Sequence, residues 1–215
     1  MNKFKFTIPK PIYVLLILSC LLNIFRIVLF NKYSLVYVIW NIFLAFLPFV
    51  ISSIILNNSM ANKLSKFNLI FWGIIWLLLI PNSPYIVTDL IHIGEIRAVP
   101  PLYDSFLLFS SAWTGLLLGL YSISHIEQIL KMKYTQKITS LIIFVIMLFI
   151  SFGMFLGRFL RFNSWDILAR PMTFINGIGE IFTNSNYFLG LLLYTSLFLF
   201  FIFMSYISWK STQTK

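Results

Sequence analysis

Two ionisable side chains, Asp89 and His92, stand in the stretch 81–104, which interrupts the long apolar runs of the sequence. Because they are three residues apart, they would share one face of a helix. Such a pair could bind a metal ion, or the carboxylate could orient the imidazole for acid–base chemistry. Thr88 could cap a short helix and place Asp89 in its first turn. The alternative is a capping aspartate beside an interfacial histidine, because the motif lacks the third ligand of a metal site.

Two further features of the same stretch could belong to this site. Asp104 opens the following helix, either as a charge that favours the helix dipole or as a third, catalytic carboxylate over the same cavity. Upstream, prolines interrupt an apolar run, and non-helical backbone at membrane depth is tolerated only in a protein interior or a wet cavity. We therefore predict that four residues form a cavity wall: Pro81, Asn82, Pro84 and Tyr85.

A second polar segment, 158–186, could hold an anion. Arg158 and Arg161 are three apart and would project from one face where a helix leaves the membrane. Residues 163–166 would cap a new helix, which the Arg-Pro pair at 170–171 ends or bends. The candidate anion-binding residues are Arg158, Arg161, Asn163, Asp166 and Arg170. These arginines either hold a phosphate or carboxylate through paired hydrogen bonds or form structural ion pairs with the acids on the same side.

These residues must be positioned by helices that cross a membrane. Hydrophobic residues make up 60% of the 215 residues and charged residues 10%, and the mean hydropathy is +0.91. Apolar runs of about 20 residues match a bilayer core of roughly 30 Å, and the alternating pattern of an outer-membrane barrel is absent. We predict an all-α, polytopic membrane protein with a single integral membrane domain over residues 1–215. The lipid bilayer is its first partner.

Six segments are predicted to span the membrane: 12–30, 35–56, 67–87, 103–124, 138–157 and 187–209, with outer loops at 88–102 and 158–186. The first is expected to be a retained span, because its apolar run is long and no small-residue cleavage site follows. Arg26 near its end would snorkel to the interface. The third reaches Pro81 after about 14 residues, or about 21 Å of helix, so it must kink and continue or break.

Other patterns predict how these segments pack. Gly115 and Gly119 are four residues apart and form a small-residue stripe for close helix packing. We expect His125, near the end of the same helix, to belong to an ordinary polar helix end. The aromatic and aliphatic residues of the last outer loop suggest a piece that lies on the membrane surface or caps the bundle: Trp165, Phe174, Ile178 and Phe182.

The two signs of charge are distributed unequally. Lysines dominate the N-terminal segment, the loops after the second and fourth spans, and the C-terminal segment: Lys3, Lys5, Lys10, Lys63, Lys66, Lys131, Lys133, Lys137, Lys210 and Lys215. By the positive-inside rule, both termini are cytoplasmic in a bacterial plasma membrane, and the net charge of +10 reflects anionic headgroups rather than nucleic acid. The other side mixes arginines with most of the acids, including Arg97 and Glu95, which calls for ion pairs or a bound anion.

Four runs, PNSPYIVTDLIH, VPPLYD, AWTGLLLG and GRFLRFNSWD, resemble the signature segments of a bacterial integral membrane protein family known only as domain of unknown function 1361. The resemblance covers the third helix through the start of the last loop. Ser83 stands where alanine is usual and Leu102 where an aromatic residue is common, while the ionisable positions match. The resemblance implies a multi-pass membrane protein and supplies no activity, cofactor or catalytic residue.

Three classes of function fit these residues. The first is an enzyme that acts on a lipid-linked or phosphate-bearing substrate at the outer leaflet. The second is a transporter or lipid-moving protein, which the interrupted third helix favours. The third is a membrane assembly partner without its own chemistry. Nucleotide-binding loops, nucleophile elbows and metalloprotease motifs do not occur, so the sequence identifies neither a cofactor nor a metal, nor an oligomeric state.

Overall fold

The computed structural model describes residues 8–93 and 99–213. Within those ranges six helices are long and apolar enough to cross a membrane, which confirms the predicted all-α, polytopic fold. They are Lys10–Phe30, Tyr37–Met60, Lys66–His92, Pro101–Lys131, Gln136–Phe159 and Ser185–Gln213. Several residues named above lie outside the described ranges: Lys3, Lys5, Glu95, Arg97 and Lys215.

The third span is a succession of three elements. In chain order the described α-helices are α1 (Lys10–Phe30), α2 (Tyr37–Met60), α3 (Lys66–Leu79), α4 (Asn82–Tyr85), α5 (Pro101–Lys131), α6 (Gln136–Phe159), α7 (Asp166–Ala169), α8 (Pro171–Thr183) and α9 (Ser185–Gln213). A 3-10 helix, Ile86–His92, follows α4 directly. The third span therefore extends to His92, beyond the predicted end at residue 87.

The chain divides into two compact units, Met1–Lys133 and Tyr134–Lys215. The first contains α1 to α5 and the 3-10 helix, and the second contains α6 to α9. That one integral domain covers the whole chain stays a prediction.

The third span bends at Pro81 and continues, as the kinked alternative predicts. α3 begins after Ser65, whose hydroxyl accepts a hydrogen bond from the Asn68 N–H at 3.2 Å. At the other end the proline ring removes one N–H donor, but Pro81 keeps right-handed helical angles, so the chain turns into α4. The Asn82 side-chain amide donates to the Leu79 carbonyl at 2.9 Å, which satisfies an acceptor that the helix end leaves open.

The helix at the centre of the first unit is α5, which packs against α1, α2, α4 and the 3-10 helix. A Cβ atom on Gly115 would lie 2.5 Å from the Ser83 backbone oxygen, and one on Gly119 would lie 3.1 Å from the Ser83 Cβ. The Ser83 hydroxyl donates to the Ala45 carbonyl of α2 at 3.0 Å. The glycines therefore let α4 lie directly on α5, which confirms the close packing predicted for this stripe.

A polar face of α1 also packs against α5. Its buried residues include Ser19 and Asn23, one turn apart. The Ser19 hydroxyl lies 3.4 Å from the hydroxyls of Ser110 and Thr114 in α5, and the Asn23 amide donates to the Ser19 carbonyl at 3.0 Å. Since most of the buried residues of α1 are polar, the first span is held to the unit by hydrogen bonds as well as by packing.

In the second unit, α6 and α9 pack against each other, and α8 packs against α9. Phe155 and Leu156 of α6 form a buried apolar cluster with Ile181 of α8, and Phe174 and Leu191 pack against it. The predicted outer loop is therefore largely helical, and α8 is anchored by a small core that it shares with α6 and α9.

Candidate functional site

The 3-10 helix holds Asp89 and His92 over the same part of α2. A 3-10 helix has about three residues per turn, so side chains three apart are eclipsed. The Asp89 carboxylate accepts a hydrogen bond from the Asn41 side-chain amide at 2.9 Å. The His92 ring meets the Tyr37 ring edge-on, with centroids 6.1 Å apart and planes at 79°. Because Tyr37 and Asn41 are one turn apart on α2, the two ionisable side chains and their partners form one cluster.

Asp89 and His92 differ in their access to solvent or substrate. Asp89 is 2% exposed, whereas His92 is half-buried. A buried carboxylate fixed by an amide is suited to setting the local field, while the more open imidazole can meet another molecule. The arrangement can therefore support proton transfer at His92. Among the residues that the structure describes, no group of three or more His, Cys, Asp or Glu side chains could hold a metal ion.

Thr88 does not cap this helix. Its hydroxyl donates to the Tyr85 carbonyl at 2.7 Å, and the helix begins before it, at Ile86. The prediction of a Thr88 cap is wrong, because α4 runs into the 3-10 helix without a loop that would leave free N–H groups to cap. Asp89 nevertheless lies in the first turn, as predicted.

Asp104 is buried in an ion pair with Arg26 of α1. The Arg26 Nε donates to Asp104 Oδ1 at 2.8 Å, and its Nη2 donates to Oδ2 at 3.1 Å. Both side chains are 2% exposed or less. Because both of its carboxylate oxygens accept from one guanidinium, Asp104 is committed to this ion pair. Its position in the first turn of α5 agrees with the helix-terminal alternative.

The third Arg26 nitrogen also has partners. Its Nη1 donates to the Lys32 carbonyl at 3.0 Å and to the Ser34 hydroxyl at 3.2 Å. The expectation that Arg26 snorkels to the interface is wrong. A guanidinium inside the protein can keep its charge because an opposite charge and polar acceptors replace its water.

The four predicted cavity-wall residues are not equally accessible. Pro84 is buried, while Pro81, Asn82 and Tyr85 are half-buried. α4, which contains three of them, packs against both α2 and α5. An interrupted helix is stable at membrane depth when it is buried in protein or lines a wet cavity. Because α4 packs between α2 and α5, it meets the first of these conditions.

In the second unit, Asp166 organises the turn between α6 and α8. Its Oδ2 accepts from the Asn163 N–H at 2.7 Å, and its Oδ1 accepts from the Arg170 Nη2 at 2.8 Å and Nε at 3.1 Å. The Asn163 N–H, followed by the Arg170 guanidinium, holds the pKa of the Asp166 carboxyl below its usual value of 3.8. Asp166 lies in the first turn of α7, as the sequence predicts, but the cap itself differs: the Asp166 carboxylate accepts from the Asn163 N–H, and Trp165, at the N-cap position, makes no side-chain cap.

Arg170 is therefore committed to Asp166, and it ends α7 as predicted. Its backbone angles of φ −140° and ψ 59° are not helical, and Pro171 starts α8 in the next position. The structural alternative holds for this arginine, because its Nε and one terminal nitrogen are bound to a carboxylate of the same turn.

Arg158 and Arg161 lie at the end of α6. Arg158 is half-buried in the last turn, and Arg161 is exposed just beyond it. Arg161 has φ 57°, in the left-handed region, and the Phe162 N–H bonds to the Leu156 carbonyl at 3.2 Å. This closure of a helix end usually takes glycine, because a side chain in that conformation costs about 1 kcal/mol. Arg161 therefore has a strained backbone conformation and an exposed side chain.

Sequence reasoning missed three partners of these residues. Asn41 and Tyr37 hold Asp89 and His92, and Arg26 pairs with Asp104. A signal existed for Arg26, because it follows Ser19 and Asn23 at helical spacing and so continues one polar face of α1. Asn41 was visible as a lone amide in an apolar span, which marks an inward-facing residue.

A second polar network, at the opposite end of α5, was also missed. The Trp76 indole N–H donates to the Ser122 hydroxyl at 2.7 Å, which lies 3.0 Å from the Ser52 hydroxyl. The Ser52 hydroxyl in turn lies 3.0 Å from His125 Nδ1. His125 therefore joins a network across α2, α3 and α5, and the expectation of an ordinary polar helix end is wrong.

The sequence matches the model of the family DUF1361, described as a protein of unknown function, over residues 40–209. No curated protein and no solved structure matches the chain. The matched range includes Asn41, Asp89, His92 and Asp104, and it begins after Arg26.

Proposed function

The chain belongs to the DUF1361 family, and because that family has no assigned function, we propose one from the site itself. We propose that this multi-pass membrane protein is an enzyme of the outer leaflet. It acts on a lipid-linked or phosphate-bearing substrate, with His92 as the proton carrier and Asp89 as the carboxylate that sets its environment. Both termini are cytoplasmic, in a bacterial plasma membrane, as the lysine distribution indicates.

The observation that carries this proposal is the pairing of the 3-10 helix with α2. Asp89 is buried and accepts a hydrogen bond from Asn41, while His92 is half-buried beside Tyr37. Ionisable residues inside membrane proteins are costly and are retained mainly where they have a function. A site with one fixed carboxylate and one accessible imidazole suits general acid–base catalysis.

The class of substrate is inferred from the cations. Arg26 and Arg170 are committed to carboxylates, whereas Arg161 presents an exposed guanidinium in a strained backbone conformation. Arginine suits phosphate because its planar donors match two oxygens at once. A phosphate-bearing lipid therefore fits the charge of the chain better than a neutral lipid does.

The bend in the third span bears on the choice between an enzyme and a transporter. The alternating access of a transporter requires elements that rock against each other. Here α4 lies in backbone contact with α5 at Gly115 and is bonded to α2 through Ser83. So close a contact favours a rigid platform for His92 over a moving gate.

The test uses purified protein and two probe substrates, a phosphatidic acid and an isoprenoid pyrophosphate, in mixed micelles. Wild-type protein is expected to release phosphate from one of them. Asp89→Asn and His92→Gln should each reduce the rate by about 100-fold or more at unchanged stability, because both nearly preserve volume but remove acid–base chemistry. Thr88→Val is the matched control, since it changes the same helix without removing an ionisable group.

Three results would contradict the enzyme proposal. If both ionisable variants keep full phosphate release, His92 and Asp89 are not catalytic. If neither probe is turned over in micelles but lipid moves across the membrane of sealed proteoliposomes, the transporter hypothesis is correct. If Asp89→Asn and His92→Gln both complement a deletion strain as well as wild type does, the hypothesis of an assembly partner is favoured.

A further inference from the structure

The helix α8 carries more apolar surface than its own core covers. Its less exposed face consists of Phe174, Gly177, Ile178 and Ile181, of which Ile181 belongs to the buried cluster and Phe174 packs against it. A neighbouring face is apolar but exposed, and it consists of Met172, Ile175, Gly179 and Phe182. We call this exposed face, from Met172 to Phe182, the α8 stripe.

The remaining arc of α8 is polar. It consists of Thr173, Asn176, Glu180 and Thr183, all exposed. Because each residue turns a helix by about 100°, the less exposed face and the α8 stripe form one continuous apolar arc, and the polar residues share the rest. About half of the apolar arc is therefore covered by protein, and the other half, the α8 stripe, is exposed.

The packing partners of Ile181 fix how deep α8 lies. Ile181 contacts the cluster of Phe155 and Leu156, with Leu191 beside it. Phe155 is four residues from the end of α6 at Phe159, or about 6 Å of helix. Leu191 is six residues from the start of α9 at Ser185, or about 9 Å. The C-terminal half of α8 thus lies a short distance below the ends of two spans.

The connection to α9 keeps α8 at this level. Only Asn184 separates the two helices, and its side-chain oxygen accepts the Asn186 N–H at 3.0 Å. At the middle of α8, a Cβ on Gly177 would lie 2.7 Å from the Phe162 ring, so the chain leaving α6 packs directly on α8. The C-terminal end and the middle of α8 are therefore both held beside the spans.

We propose that α8 is an interfacial helix whose stripe is inserted between the lipids at the boundary of headgroups and acyl chains. The distance of about 6–9 Å from the ends of two spans is comparable with the 5–10 Å by which amphipathic helices are buried in that boundary. The occupant of the α8 stripe is lipid, because the two spans beside it place it at the surface of the bilayer. The polar arc with Glu180 faces water and headgroups.

The test places a fluorescent, polarity-sensitive label on single cysteines in a Cys20→Ala background. Ile175→Cys samples the α8 stripe, and Asn176→Cys is the matched control on the polar arc. Both proteins are reconstituted into vesicles of phosphatidylcholine and phosphatidylglycerol. Quenching is measured with iodide and with lipids that carry a nitroxide either near the headgroup or near the acyl methyl end.

We expect the label at 175 to be quenched by the shallow nitroxide more than by the deep one, and several-fold less by iodide than the label at 176. Equal iodide quenching at both positions would overturn the proposal, because the α8 stripe would then face water. Shielding of the 175 label from iodide and from both nitroxide lipids would also overturn it, since a protein partner would then cover the α8 stripe. Gel filtration of each labelled protein confirms that it is folded.

Discussion

Arg26 and Asp104 are the best-defined charged residues of the first unit, and they explain how α1 is attached. Two parallel hydrogen bonds join them, and the remaining Arg26 donor reaches Lys32 and Ser34. Removing a guanidinium from such a site leaves a buried carboxylate without its counter-charge, which is more costly than removing the whole pair. The pair therefore has a testable role in stability.

Arg26→Met is expected to destabilise the protein by about 3–5 kcal/mol, because Asp104 is left buried and unpaired. Combining it with Asp104→Leu should recover much of that loss, since the double variant leaves no charge inside. Thermal melting in detergent measures both effects. The matched control is Lys32→Met, which removes an exposed charge and keeps the backbone carbonyl. If Arg26→Met melts like wild type, the ion pair does not stabilise the fold.

Asp166 gives a pH dependence to the turn before α8. Its pKa is lowered mainly by the Asn163 N–H and then by Arg170, so its carboxylate stabilises the folded state above its usual pKa of 3.8. That stabilisation is lost as the pH falls from 3.8 through the lower folded-state pKa. Wild type should therefore melt above Asp166→Asn at pH 7, with a difference that shrinks below pH 3.8. A difference that stays constant down to the lowest pH would contradict this origin.

At the scale of elements, the decisive contact is that of α4 with α5. The third span bends because Pro81 cannot continue the α3 hydrogen-bond ladder, and the bend is stable because Gly115 admits the Ser83 backbone. The 3-10 helix follows at once, so the position of His92 depends on this contact. A change at Gly115 should therefore affect both stability and the site.

Gly115→Ala is expected to cost about 1–3 kcal/mol, because its Cβ would overlap a backbone oxygen that cannot move aside. Gly119→Ala should cost less, since its Cβ would lie 3.1 Å from the Ser83 side chain. Gly73→Ala is the matched control: nothing lies within 4 Å, so it should stabilise α3 by up to about 1 kcal/mol. Melting in detergent ranks the three variants. An order in which Gly115→Ala is the mildest would refute the close approach.

At the scale of the whole molecule, orientation in the membrane decides which end of each unit meets which solution. The lysines at the α2–α3 and α5–α6 connections, Lys63 and Lys133 among them, predict that these connections are cytoplasmic. α7 and α8 would then lie outside, on the side where α6 ends and α9 begins. All proposals for an outer-leaflet site depend on this assignment.

Single cysteines in a Cys20→Ala background test it. Asn176→Cys should react with a membrane-impermeant maleimide in intact cells, because it is exposed on the polar arc of α8. Lys63→Cys and Tyr134→Cys should react only after the membrane is permeabilised. The reverse pattern would invert the orientation and remove the outer-leaflet function with it.

The sequence by itself determined the class of fold, the six spans and the interruption of the third span at Pro81, which it left as either a kink or a break. Each of these follows from local chemistry: a bilayer requires about 20 apolar residues per helix, and proline removes a backbone donor wherever it stands. The first-turn position of Asp89 and the break at Arg170 are local in the same way. Helix ends were less well predicted, as at Lys131, because polar residues can extend a span beyond the apolar core.

Only the tertiary structure decided which side chains meet. Asp104 pairs with Arg26 across 78 positions, and Asp89 bonds to Asn41 across 48. Charge and spacing showed that these acids needed partners but left several arginines as candidates. The choice depends on which helix faces which, and that is set by features such as the contact at Gly115 and the polar face of α1. Such contacts join residues far apart in the chain, so no local pattern contains them.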